Sequence, residues 1–142
     1  MGARSMRSVS QISLLIVSGL VALVIGLTLL FTPENLFAGN PAVLNAGPDL
    51  YSEIRAPGGL LAALGGFVLA SAAMAALRKS GLTVTAVLYT SYGLARIWSL
   101  MVDGHPGDAL ILAMVIELAL GMAALVALVF PVANTQTRRV ST

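Results

Sequence analysis

The chain of 142 residues has Cys 0, one histidine, one tryptophan and few charges, with Lys+Arg 8 and Asp+Glu 6. Without cysteine there can be no disulfide, thiolate nucleophile or cysteine metal site. The lone His105 lies in a polar turn, where a single imidazole is a poor metal centre, so no metal and no cofactor are expected. The sequence also lacks a glycine-rich phosphate loop, a nucleophile elbow and a haem-attachment motif. A charged content of only 10% against 58% hydrophobic residues excludes an ordinary soluble domain.

The apolar residues fall into four runs, 12–31, 58–77, 81–101 and 109–130. Each is long enough to cross a hydrocarbon core of ~30 Å as a helix. With polar extensions the helices are expected at about 12–31, 50–77, 81–101 and 108–130. The short connections leave no room for a soluble domain, so the sequence predicts an all-α transmembrane four-helix bundle forming one domain over 1–142. The first run has the basic flank of a secretory signal, but its length suits a retained spanning helix.

Charge distribution gives the orientation. Arg4, Arg7, Arg78, Lys79, Arg138 and Arg139 fall before the first helix, between the second and third, and after the fourth. Glu34, Asp49, Asp103 and Asp108 fall in the other two connections. This segregation predicts a multi-pass membrane protein with both termini in the cytoplasm. The net charge of +2 thus reflects topology, and no nucleic-acid partner is expected.

Local chemistry marks the connections. Thr32-Pro33-Glu34 suits the start of a short helix, and 33–48 is the longest loop, a candidate lid or partner surface. Asp49 is a candidate cap for the second helix and Pro57 a candidate kink. The small residues of that helix, Gly58 to Ala70, suit close backbone packing. Asp103-Gly104-His105-Pro106-Gly107 forms a tight turn with Asp108 as candidate cap, which makes the third and fourth helices antiparallel neighbours.

The third helix carries the most informative pattern. Thr85, Tyr89, Tyr92, Arg96, Ser99 and Asp103 recur at steps of three or four and share one face. Glu117 lies nine residues into the last run, roughly 13 Å from its start. An ionisable group at such depth is a functional-site hypothesis by default. Glu53, Arg55, Arg96 and Glu117 have zero net formal charge, and burial demands pairing. The expected pairs are Arg96 with Glu117 or Glu53, and Arg55 with Asp103. Trp98, off the face of Arg96, is expected to anchor at the lipid interface.

In Glu53-Ile54-Arg55 before Gly58-Gly59, in Arg96 with Ser99, in Asp103-Gly104 with Pro106, and in Glu117, the chain resembles the domain of unknown function 4345 family. That family comprises small bacterial membrane proteins related to the DoxX-like four-helix proteins. The resemblance implies a four-helix bundle in a bacterial inner membrane and brings no reaction, substrate or cofactor.

Three functional classes follow. A binding or accessory module would use Glu53, Arg55, Tyr89, Tyr92, Arg96, Ser99, Asp103 and Glu117 as a polar pocket in the outer half. Its partner would be a membrane lipid or a quinone-like amphiphilic small molecule with a carbonyl or anionic head facing the Arg96 fork. A structural subunit would instead act through helix contacts with a membrane-protein partner or as a homo-oligomer. A small membrane enzyme would use Glu117 as acid or base, with His105, whose intrinsic pKa is near the physiological range, as a second titratable group, and no catalytic residue is assigned. The bland alternative is that the charges only hold the helices in register.

Overall fold

The computed structural model describes residues 2–38 and 47–130. The chain is all-α. In order come α1 (Gly2–Phe31), α2 (Pro33–Phe37), α3 (Pro48–Ala73), a 3₁₀ turn (Ala75–Leu77), α4 (Arg78–Val102) and α5 (Asp108–Val129). Three helical stretches, Ser8–Phe31, Pro48–Ala73 and Asp108–Val129, are long and apolar enough to cross a membrane. α4 is as long, but Thr85, Tyr89, Tyr92 and Arg96 dilute its apolar content. In α5 only 17% of the apolar stretch is buried inside the protein, so lipid would satisfy most of its surface.

Helix ends follow backbone chemistry more closely than the apolar runs do. α1 begins near the N-terminus, ten residues before the expected start, because polar residues through Gln11 continue the helix beyond its apolar part. It ends where Thr32 leaves the helical region at φ −138°, as the residue before a proline is pushed to do. Pro33 then opens α2 with Glu34 in the first turn. The expected caps shift by a residue or two: Gly47 caps α3 and Gly107 caps α5, while Asp49 and Asp108 lie within the first turns. There their carboxylates still favour the positive end of the helix dipole. α3 is assigned as helix through Pro57. It ends at Ala73, four residues early, because Met74 adopts extended backbone (φ −103°, ψ 104°). The basic pair Arg78-Lys79, expected in a connection, starts α4.

Two seams of small residues organise the packing. α1 and α3 run antiparallel, with Gly26 against Ala62 and Gly65 against Gly19 and Leu23. A Cβ on Gly65 would lie 2.9 Å from the Gly19 carbonyl oxygen, so the backbones meet too closely for any side chain. α4 and α5 pair the same way, with Gly93 against Leu118 and Gly121 against Thr90. Between these pairs Gly81 of α4 meets Ser71 of α3 at the basic end, and elsewhere the packing relies on larger groups. Near the basic end, which carries Arg78, Leu15, Val68, Ala72 and Leu82 form one buried cluster. Midway along, Ala22, Leu61 and Tyr89 form another. Gln11 Nε2 also donates to the Ala127 carbonyl at 3.2 Å, linking α1 to α5.

Candidate functional site

The residues of the α4 stripe have different fates. Thr85 is fully buried, but its hydroxyl donates to the Gly81 carbonyl of its own helix at 2.9 Å and is spent there. One turn on, Tyr89 reaches across to α1, where its hydroxyl donates to the Ser18 carbonyl oxygen. Arg96 Nε donates to Glu117 Oε2 at 2.7 Å, joining α4 to α5. The glycine seam sets this up, because Gly93 lets Leu118 of α5 approach one turn below the pair. The Arg96 side chain is 33% exposed and that of Glu117 12%, so Glu117 is the more dependent partner.

The acidic ends of the helices hold the other predicted site residues apart from this pair. Ser99 donates to Asp103 Oδ2 at 2.8 Å in an exposed contact at the end of α4. Arg55 lies 5.2 Å from the centroid of the Tyr51 ring, a cation–π contact. The expected Arg55–Asp103 pair does not form among the described residues, because each group finds a partner within its own helix. Glu53 is exposed, and of the two partners expected for Arg96 the structure has Glu117. Trp98 is 65% exposed on the apolar surface. His105 is exposed, with Nδ1 2.7 Å from the Pro106 carbonyl oxygen.

Where the two helix pairs meet, beside Glu117, there is a cavity of about 130 Å³. Its walls include Ala22 and Ile25 of α1, Leu61 of α3, Tyr89 and Tyr92 of α4, and Ile116 and Glu117 of α5. Three of the predicted site residues, Tyr89, Tyr92 and Glu117, therefore meet at one space. Arg96 is not among the lining residues and acts on the cavity through Glu117. Sequence periodicity missed the α1 and α3 walls. The i, i+4, i+7 spacing of Ser18, Ala22 and Ile25 marks a face of α1, but an apolar helix has many such faces. None of residues 33–38 lines the cavity, and 39–46 of the expected lid lie outside the described residues.

The chemistry of this space is limited and specific. An apolar cavity of roughly 150 Å³ holds one benzene-sized ring, so the space suits a single ring or a few waters and excludes a whole lipid. Glu117 has one oxygen on Arg96, and among the described residues its Oε1 accepts no hydrogen bond. As the ionised partner of Arg96 it is an acceptor only. Tyr92, half-buried, adds a hydroxyl that can donate or accept.

The family described as domain of unknown function (DUF4345) matches residues 10–128, and the chain belongs to it. The match takes in α3, α4 and the α4–α5 turn entire, and all eight predicted site residues. No curated protein and no solved structure matches the chain.

Proposed function

We propose that this DUF4345 protein is a binding or accessory module of a bacterial inner membrane, with four spans and both termini cytoplasmic. Its cavity takes the polar head of a lipid-like or quinone-like amphiphile. The observation that carries this reading is a carboxylate, Glu117, within the candidate span Asp108–Val129, lining a partly open cavity together with Tyr92. A charge held at such depth is costly and marks a functional position. Four spans are favoured over three because α4 lies along α5 from Arg96–Glu117 through Gly93–Leu118 to Thr90–Gly121. A helix bound along a spanning neighbour shares its depth, and its polar groups then turn inward. The segregated basic residues orient the whole.

Gentle purification followed by mass spectrometry of bound small molecules tests the reading. A stoichiometric amphiphile that is lost in Glu117→Gln supports it; an empty protein that binds no added amphiphile refutes it. A second reading, a subunit of a larger membrane complex, draws on the groove of about 650 Å³ between α1 and α5, walled by Leu14, Met122, Val126 and Phe130. A stable protein partner in the same purification would favour that role.

A further inference from the structure

The cavity shares two of its walls with the lipid-facing surface. A groove of about 370 Å³ runs between α3 and α4, lined by Leu64, Thr83, Val84, Val87, Ser91, and by Leu88 and Tyr92. Leu88 and Tyr92 also line the inner cavity. Only these two side chains are common to both spaces. Around them the contact between α3 and α4 lacks the glycine seam of the other two pairs; the close approach is at the basic end, where Gly81 meets Ser71. Leucine and tyrosine side chains change rotamer without moving a helix. Access through this wall therefore requires no separation of the helix pairs.

Resting on the binding reading above, we propose that the occupant is a hydrogen-bond donor with an apolar tail that enters from the bilayer through the α3–α4 groove, past Leu88 and Tyr92. Two observations define it. The groove surface is almost wholly apolar even where Thr83, Ser91 and Tyr92 contribute to it, which suits the tail. Glu117 lines the cavity and its Oε1 accepts no hydrogen bond among the described residues, while Arg96 is bonded to Oε2 and is not among the lining residues. A carboxylate accepts and cannot donate, so it rewards a phenol, alcohol or hydroquinone hydroxyl over a carbonyl. The head group expected from the sequence, a carbonyl or anion held by the Arg96 fork, is thus replaced by its chemical complement. Tail in the groove and ring in the cavity also resolve the size conflict, since about 130 Å³ admits the ring alone.

The full chain in lipid nanodiscs is titrated with 4-octylphenol and with 4-octylanisole, which differ in the donor hydrogen. The phenol is expected to bind about tenfold more tightly, the worth of one hydrogen bond to a charged group. Because the natural chain contains no cysteine, Ser91→Cys places one thiol in the groove and Leu94→Cys one on exposed lipid-facing surface outside it. After reaction with N-benzylmaleimide, phenol association should slow by about tenfold or more at position 91 and stay unchanged at 94, the usual sign of an obstructed approach. Equal affinity for phenol and anisole overturns the donor assignment, and equal rates at the two blocked positions overturn the route. In either case the binding reading survives. Failure of both probes to bind the unmodified protein, at concentrations that saturate the nanodisc lipid, overturns the binding reading itself and the proposal with it.

Discussion

Arg96→Ala should destabilise this protein more than Glu117→Ala, although each removes one partner of the same ion pair. Arg96→Ala leaves the carboxylate of Glu117, whose side chain is 12% exposed, without its counter-charge. Stranding one member of a buried pair costs about 3–5 kcal/mol. Water admitted to the adjoining cavity offsets part of this, leaving an expected loss of about 2–3 kcal/mol. Glu117→Ala leaves Arg96 with a side chain already 33% exposed. Arg96 lies six residues from the end of α4 at Val102, a rise of about 9 Å that its flexible stem can largely span toward the interface. The expected loss there is about 1 kcal/mol.

The double variant removes both charges and should cost less than the sum of the single changes, with a coupling of about 1–2 kcal/mol. That exceeds the ~0.6 kcal/mol average for interhelical polar contacts in membranes, because this contact is charged on both sides. Reversible unfolding in mixed micelles across a series of denaturing-detergent fractions, followed by helicity, measures all three losses. A reversed order of the single variants would refute the burial argument. Additive losses would show that the 2.7 Å contact carries no energy.

Adjacent glycines in α3 should respond oppositely to alanine. Gly65→Ala pushes a methyl group into the α1 backbone and should cost about 1–3 kcal/mol, whereas Gly66→Ala, with nothing within 4 Å, should gain about 0.5–1 kcal/mol in the same unfolding series. Tyr89→Phe removes the hydroxyl bonded to Ser18 and should lower stability by about 1 kcal/mol while leaving helicity unchanged; a neutral result would mean that this bridge between the helix pairs is idle. Reporter fusions after Ala38 and after Thr142 should fall on opposite sides of the membrane, and a shared side would mean three spans and an α4 that does not cross.

The sequence made the inward face of α4 legible because polar residues at steps of three or four have one geometric meaning on a helix. The meeting of Arg96 and Glu117 was also legible. A five-residue turn, 103–107, forces α4 and α5 to run side by side, and the two residues stand seven positions before Asp103 and nine after Asp108. Height along neighbouring helices is encoded in chain length, so the register follows.

Rotation about the helix axis is not encoded so simply. Glu53 and Arg55 stand at the right height for a polar cluster, yet both are exposed, and Arg55 settles on Tyr51 of its own helix. Gly65 and Gly66 read identically in a row of small residues, while one is pressed against α1 and the other faces open space. The break at Met74 was hidden for a similar reason. It lies in an alanine-rich stretch with no glycine or proline to mark the reversal, so the apolar run continues across a change of helix. The identity of the charge facing the cavity was equally out of reach, because the direction taken by a long arginine side chain depends on its partner and not on its position in the repeat.

The persistence of an open space between the helix pairs has a physical explanation in the same packing. Within each pair, backbone meets backbone through glycine, and the separation is fixed. Between the pairs, the cluster around Leu15, Val68 and Leu82 sets the distance at the basic end, and Tyr89 braced on Ser18 sets it midway. Collapse of the cavity would require these struts to shift or the α4–α5 seam to open. In water the transfer of apolar surface would reward that collapse, but in lipid the surrounding chains are as apolar as the cavity wall and the reward is largely absent. Glu117 stands on the wall of this space, and its Oε1 accepts no hydrogen bond among the described residues. On the binding role proposed above, this space is where a membrane-dissolved donor would sit, and such a molecule could reach it without crossing a polar barrier.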